Sequence, residues 1–238
     1  YGIREIASGR DHTVLIKEDN TVWSVGYNGY GQLGLGTKTN VTKPTKTNIY
    51  DSKDTTQTEY AIDVAAGYNY TLILRKDGTV WATGYNNKGQ LGDGTTKTTN
   101  KFHKVKGENG VGYLQNIVQI VSEDHTSHAL TADGSVYSWG YNYYGQFGIN
   151  KGTGEDANPY PVKMQKVSNI IQMSTGEQHI SMLDADGSVW SVGNNGDGQF
   201  GTKNDSGTSL PTQMLDTDGK SILYGVKEIA SGRDHTVL

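Results

Sequence analysis

The chain has 238 residues, 21 Lys and Arg against 25 Asp and Glu, a net charge of −4 and no cysteine. Interspersed charge of both signs argues against a general nucleic-acid or anionic-membrane surface. The missing cysteine excludes disulfides, thiolate metal sites and a cysteine nucleophile, and no apolar run of about eighteen residues offers a membrane span. Gly is abundant at 32 and Pro scarce at 4. Most glycines recur at fixed offsets, so the excess is positional and does not mark a flexible linker.

Taken along the chain, the first copy of a repeat begins with Ile3–Ser8, a loosely alternating stretch ending in small residues. An apolar strand is predicted over His12–Ile16, a turn over Lys17–Asn20 and a second strand over Thr21–Gly26, followed by a glycine-rich loop to Gly36. The second copy carries Val64-Ala65-Ala66-Gly67, Trp81, Gly84 and Gly89-Gln90-Leu91-Gly92. The third carries Ile120-Val121-Ser122-Glu123, Tyr137, Gly140 and Gly145-Gln146-Phe147-Gly148. The fourth carries Met173-Ser174-Thr175-Gly176, His179, Trp190, Gly193 and Gly198-Gln199-Phe200-Gly201, and a fifth starts at Val226. Counted from Gly9 through its equivalents, the steps are 58, 56, 53 and 56 residues, a period typical of propellers or solenoids.

Asp77-Gly78, Asp133-Gly134 and Asp186-Gly187 lie between apolar runs, as type I′ hairpin turns require, and Asn20 tolerates the same left-handed backbone. The small residues before each motif glycine suit strands crowded around a shared axis. The strands that follow read as near-continuous apolar runs, as expected for sheets packed on both faces. Thr37–Tyr60, Lys151–Pro161 and Thr202–Ser209 are polar and are expected to be mobile surface insertions.

Ile6-Ala7-Ser8-Gly9-Arg10-Asp11-His12-Thr13-Val14-Leu15 and Val22-Trp23-x-x-Gly26-x-Asn28-x-x-Gly31-Gln32-Leu33-Gly34-x-Gly36 carry a specific likeness. On these two motifs, recurring in register, the whole chain resembles the regulator-of-chromosome-condensation repeat family. The resemblance implies an all-β fold, a β-propeller, which in the family has seven blades. Here it would be an incomplete array, one repeat domain over residues 1–238, with repeats at about 1–58, 59–114, 115–167 and 168–223 and a partial fifth at 224–238. Departures from the motif are Tyr70 and Thr126 for its His, Glu123 for its Gly and Tyr137 for its Trp, whose neighbour Trp139 is expected to share the packing. Residues 224–238 match 1–15 at 13 of 15 positions. This suggests duplication of a four-repeat unit, or a piece cut from a longer array. Open blade ends invite pairing, so self-association, or replacement of an N-terminal piece by the C-terminal strands, is expected.

Catalytic and cofactor signals are weak, and neither an enzyme activity nor a cofactor is expected. Gly219-Lys220-Ser221 lacks the upstream glycine of a phosphate loop, because Met214 stands there. Asp216-x-Asp218-Gly219 has Gly225 where a calcium loop needs glutamate, so it reads as a polar turn. His125 and His128, three apart, would fall on opposite faces of a strand. His12, His179 and His235 share one repeat position and are expected to bond neighbouring strands or blades. Trp23, Trp81 and Trp190 are expected to pack between blades.

Function in such a frame should sit where the repeat varies. The turns Arg10-Asp11, Tyr68-Asn69, Asp124-His125, Glu177-Gln178 and Arg233-Asp234 should ring one face. The resemblance implies partner contacts there, as in the family's exchange factor for a nuclear GTPase and its plant UV-B photoreceptor. The photoreceptor's tryptophan at this turn is absent, so light sensing is not implied. A second variable set is Gly29-Tyr30, Asn87-Lys88, Tyr143-Tyr144 and Gly196-Asp197, next to Asn28, Asn86, Asn142 and Asn195, and Tyr143 and Tyr144 lie in its densest aromatic cluster. The leading expectation is a non-enzymatic scaffold binding another protein, of a bacterial surface or secreted kind. Neither nucleic-acid binding nor membrane insertion is expected. The alternatives are an exchange-factor-like regulator of a small GTPase and a carbohydrate-binding adhesin.

Overall fold

The computed structural model describes residues 2–47, 49, 60–151, 154 and 156–238. The first sheet comprises β1 (Ile3–Ser8), β2 (His12–Lys17), β3 (Val22–Gly26) and β4 (Val41–Lys46); the second β5 (Ala61–Ala66), β6 (Tyr70–Arg75), β7 (Val80–Gly84) and β8 (Thr99–Lys104). The third comprises β9 (Ile117–Glu123), β10 (Thr126–Thr131), β11 (Val136–Gly140) and β12 (Asn158–Lys163); the fourth β13 (Ile170–Thr175), β14 (His179–Asp184), β15 (Val189–Gly193) and β16 (Thr208–Gln213). A final hairpin joins β17 (Ala230–Ser231) to β18 (Thr236–Val237). Within each sheet strand order follows the chain and every neighbour is antiparallel. The first strand of each sheet touches the first strand of the next, so the sheets stand as four blades and a partial fifth.

Two expectations need correction. The blade hairpins do not use type I′ turns, because only the third loop residue is left-handed: Gly78, Gly134 and Gly187 have φ of 75°, 78° and 81°, and the preceding aspartates do not. These are three-residue loops, a tight turn closed by one left-handed residue; Asn20, with φ 63°, fills that place in the first blade. The freed aspartates bond the turn instead: Asp77 Oδ1 accepts from the amide and hydroxyl of Thr79, and Asp19 does the same for Thr21.

Of the polar stretches expected as insertions, Thr37–Tyr60 in fact contains the outer strand β4, and Lys151–Pro161 and Thr202–Ser209 run into the outer strands β12 and β16; residues 48, 50–59, 152, 153 and 155 lie outside the described residues. The outer strand buries little, so it shows no apolar alternation; in β8 only Phe102 is buried. All four prolines, Pro44, Pro159, Pro161 and Pro211, lie in these strands. An edge strand tolerates the missing N–H and is protected by it from adding further strands.

The core lies between blades. Val14, Ile16 and Val22 of the first blade pack with Val64, Ile73 and Trp81 of the second. Leu72, Leu74 and Val80 meet Ile117, Ile120 and Trp139, and Leu130 and Val136 meet Ile170, Met173 and Val192. Trp139, fully buried, shares the packing of its seam with Tyr137, which stands in the motif position. It pairs with Ser127 on the same face of β11 as Tyr137, both pack in the seam between the second and third blades, and its indole N–H donates to the Gln90 carbonyl of the preceding blade (2.9 Å).

Polar bonds cross the same seams. His12 Nε2 lies 3.0 Å from the Thr71 hydroxyl, which donates to the Gln32 carbonyl (2.8 Å). The ring must therefore donate, which places its proton on Nε2. His179 Nε2 lies 3.3 Å from the Thr236 hydroxyl, and Tyr70, in the histidine position, donates to the Thr126 carbonyl (2.6 Å). The motif glycine follows from these rings: a Cβ at Gly9 would lie 2.3 Å from the His12 ring, and one at Gly67 2.0 Å from the Tyr70 ring. In the third copy the ring gives way to Thr126, and Glu123 takes the glycine position. Along the inner strands, Gln119 bonds both backbone groups of Met173, Gln172 both of Ile229, and Asp63 accepts the Ile120 N–H (2.9 Å).

Burial lowers the pKa of His12 and His179 from 6.5 to about 4. Their neutral-form stabilisation is present above the ordinary value and lost as pH falls through the depressed one. Asp63 has the opposite sign: burial, with Glu5 beside it, raises its pKa above 3.8, so its contribution is lost as pH rises through the raised value. Asp63→Asn, which imitates Gln119 and Gln172, is expected to raise the melting temperature in mildly alkaline buffer and leave the acid limb unchanged. Thermal melts across pH check this, and identical alkaline melting of variant and parent would contradict it. Trp81→Ala is expected to cost roughly 3–5 kcal/mol in denaturant titration.

Candidate protein-interaction face

The loop after each third strand is built by one repeated asparagine. The side-chain oxygens of Asn28, Asn86, Asn142 and Asn195 accept the N–H of Leu33, Leu91, Phe147 and Phe200 at 2.8–3.0 Å. The amide of Asn86 donates to the Thr95 and Lys97 carbonyls, and that of Asn28 to the Thr37 and Thr39 carbonyls. Gln32, Gln90, Gln146 and Gln199 accept the N–H of Tyr30, Lys88, Tyr144 and Asp197. These buried side chains are frame, and the residues between them are displayed on a fixed backbone.

Each such loop is tied to the turn before its second strand. Tyr27, Tyr85, Tyr141 and Asn194 donate their N–H to the carbonyls of Asp11, Asn69, His125 and Gln178. The two variable sets therefore share one face. Turns also touch across blades: Arg10 N–H donates to the Tyr68 carbonyl, Tyr68 to Asp124, and Glu177 to Arg233.

Side chains join the sets on the first three blades. The Arg10 guanidinium lies 4.6 Å from the Tyr68 ring centroid and also donates to a tyrosine hydroxyl, that of Tyr68 itself. Tyr68 stacks on His125 (5.7 Å), His125 meets the edge of Tyr85 (5.7 Å), Tyr85 packs on Tyr30 (4.7 Å), and Tyr30 on Tyr27 (6.1 Å). His125 is a turn residue and not a strand residue; its Nδ1 pairs with Asp124 (2.5 Å), while His128 is buried against Ser138. Beyond Lys88, which stands 5.0 Å over Tyr141, the Tyr141 and Tyr143 rings lie nearly parallel (6.0 Å) and Tyr144 meets Tyr143 edge-on (5.0 Å).

The rest of the face is ionic. Arg233 pairs with Glu177 and Asp234, and Arg10 with Asp11. Glu123 is held above the usual carboxylate range by burial, and the charges of Asp124 and Glu177 add to this. Gln178 accepts from Asn194, and Asn69 accepts from Gln32. Sequence reasoning missed Tyr27 and Tyr85 as members of this surface, although Gly-Tyr-Asn recurs at 26–28, 84–86 and 140–142. Gly219-Lys220-Ser221 is a turn: the Lys220 and Ser221 N–H groups donate to the Asp218 carboxylate and that of Gly219 to the Asp216 carbonyl. Among the described residues no cluster of three metal-ligating side chains occurs, and no helix is long and apolar enough to cross a membrane.

The profile of the regulator of chromosome condensation (RCC1) repeat matches residues 19–74, 77–130, 133–183 and 186–238, and a second profile of this repeat matches 3–32, 61–90, 117–146 and 170–199. Units of the first kind begin between the second and third strands of one blade and end at the second strand of the next. The ultraviolet-B receptor UVR8 of Arabidopsis thaliana is 29% identical over 223 residues, 92% of this chain and 48% of its own length. The X-linked retinitis pigmentosa GTPase regulator of Homo sapiens is 36% identical over 144 residues, 60% of this chain and 13% of its own. The chain thus spans less than half the length of these relatives. Among solved structures, human WBSCR16 superposes with a TM-score of 0.79 at 22% identity, over 98% of this chain and 56% of its own. Yeast RCC1 (Prp20), solved with Kap60, gives 0.62 at 20% identity, over 98% and 67%. These likenesses show the fold, a β-propeller of this repeat type.

Asn86→Ala removes the partner of the buried Leu91 N–H and of two carbonyls. It is expected to cost at least about 2 kcal/mol and to speed hydrogen exchange at the Leu91 amide.

Proposed function

The chain belongs to the regulator of chromosome condensation repeat family, and on that premise we propose that it is a non-enzymatic protein-binding scaffold whose contact surface is the face of the Gly-x-x-His turns. The observation that carries this reading is the unbroken contact series from Arg10 through Tyr68, His125, Tyr85 and Tyr30 to Tyr27. Tyrosine and arginine dominate binding energy at protein interfaces. Here they pack on one another over a backbone pinned by Asn28 and Asn86, so little side-chain freedom remains to be lost on binding. Asp124-His125, Glu177-Gln178 and Arg233-Asp234 supply a charged rim, and Tyr143 and Tyr144 extend the aromatic area. The carboxylates there favour a partner with a basic surface.

A second reading narrows the partner to a small GTPase or a protein that controls one. It is favoured by the 36% identity to a protein named as a GTPase regulator. Acceleration of labelled-nucleotide release from members of a small-GTPase panel would support it.

The main reading is tested by quantitative affinity capture with the parent protein, a Tyr68→Ala/Tyr85→Ala variant and a Lys76→Ala control at the opposite end of the blade. Captured partners are expected to fall at least about tenfold with the double variant and to be retained by the control. Equal capture by all three would refute the assignment of the face.

A further inference from the structure

One aromatic position recurs on the third strand of each blade, as Trp23, Trp81, Tyr137 and Trp190. In the first two blades the chain covers that ring with its own cation. Lys17 Nζ stands 5.1 Å from the Trp23 centroid; Arg75 Cζ and Lys104 Nζ stand 5.5 and 5.2 Å from that of Trp81. Lys17, Arg75, Thr131 and Asp184 are equivalent, each ending the second strand of its blade. In the fourth blade Asp184 accepts the Trp190 indole N–H (3.0 Å). In the third blade the residue is Thr131, and among the described residues no lysine or arginine stacks on Tyr137.

A cleft of about 390 Å³ opens at this place, between the hairpin that follows β8 and the β10–β11 turn. Glu108, Val111, Tyr113, Thr131, Asp133 and Tyr137 line it, and its lining contains two carboxylates and no lysine, arginine or histidine. The Asp133 carboxyl is held below the usual range by the Thr131 hydroxyl and then by Ser135, and so it is ionised. Both carboxylates act on Tyr137: burial raises its hydroxyl pKa most, followed by Glu108 and Asp133. Three lysines stand at the rim of the cleft and outside its lining. Lys104 and Lys106 stand 5.3 and 4.9 Å from the Tyr113 ring, and Lys163, the cross-strand partner of Tyr137, lies exposed within the field of Asp133.

We propose that this cleft takes an arginine or lysine side chain from a partner polypeptide, in the place where the first two blades use a cation of their own. An aromatic ring flanked by carboxylates attracts a cation through the ring quadrupole and through charge. The rim points to a polypeptide source and away from a free amine: Val111 at the hairpin tip is 81% exposed and Tyr113, bridged to Lys106 on the stem, 48%, and they offer apolar contact beyond the reach of a single ammonium group. The cleft sits at the opposite end of β10 from His125, so its test and that of the turn face fail separately.

The test is an NMR titration of the ¹⁵N-labelled chain with a short Gly/Ser peptide carrying one central arginine. The matched controls are the same peptide with citrulline, and N-acetylargininamide. Shifts are expected to be confined to residues lining the cleft, with the citrulline peptide binding at least about tenfold more weakly. Glu108→Gln and Asp133→Asn should each weaken binding severalfold, and Tyr137→Phe should retain it. Thr131→Arg, which supplies the cation found at Arg75, should abolish binding while the remaining spectrum stays folded. Equal binding of the citrulline peptide, unchanged binding by Thr131→Arg, or no shift at the cleft would overturn the proposal. Binding of N-acetylargininamide as tight as that of the peptide would overturn the polypeptide source.

Discussion

Each blade of this protein has two apolar faces, and neither can be buried within the blade itself. A single four-stranded sheet with Val14 and Ile16 on one side and Leu15 and Trp23 on the other is stable only when another sheet lies against it. The four apolar clusters accordingly sit between blades. Where no sheet precedes, as at Ile6, the side chain is 62% exposed, while its equivalents Val64, Ile120, Met173 and Ile229 are buried. Apolar packing sets how far apart the blades stand. It does not by itself set register, and the polar bonds across the seams supply that.

Those polar bonds explain the motif better than any single blade does. The histidine ring of one blade reaches a hydroxyl of the next, and the glycine three residues earlier exists because that ring leaves no room for a Cβ. The third copy shows the dependence in reverse, since loss of the ring at Thr126 coincides with Glu123 at the glycine position. That substitution also brings Glu123 near Asp124 and Glu177. A change in the frame thereby alters the charge of the displayed surface.

The same division between frame and display runs through the loops. Buried asparagine and glutamine side chains consume the backbone hydrogen-bonding capacity of each loop, which is what a buried non-repetitive backbone requires. The positions left over are free to differ between blades, and they do: tyrosines dominate blades one to three on this face, whereas the fourth presents Asn194 and Asp197. At the other end of the blades the variation is of a different kind. The cation over the aromatic ring is kept in two blades, replaced by a carboxylate in one and absent in the third, where a cleft opens.

The sequence by itself determined the number of repeats, their strand pairs, the tight hairpins and the burial of the histidine position. All of these follow from local periodicity and from residues such as Gly78 and Asn20 whose backbone preferences act over a few positions. It also placed Arg10, Tyr68, Asp124 and His125 together, because equivalent turns must fall on one face. The outer strands were not legible: β4, β12 and β16 bury too little for alternation to appear, and their prolines read as loop. Nor was the bond of the Trp139 indole to the Gln90 carbonyl, because only the neighbouring blade supplies that acceptor. The junction of Tyr85 with His125, and the cleft beside Tyr137, join residues about 40 and 30 positions apart through the packing of separate blades. Contacts of that kind depend on where sheets come to rest against each other, and no local pattern encodes them.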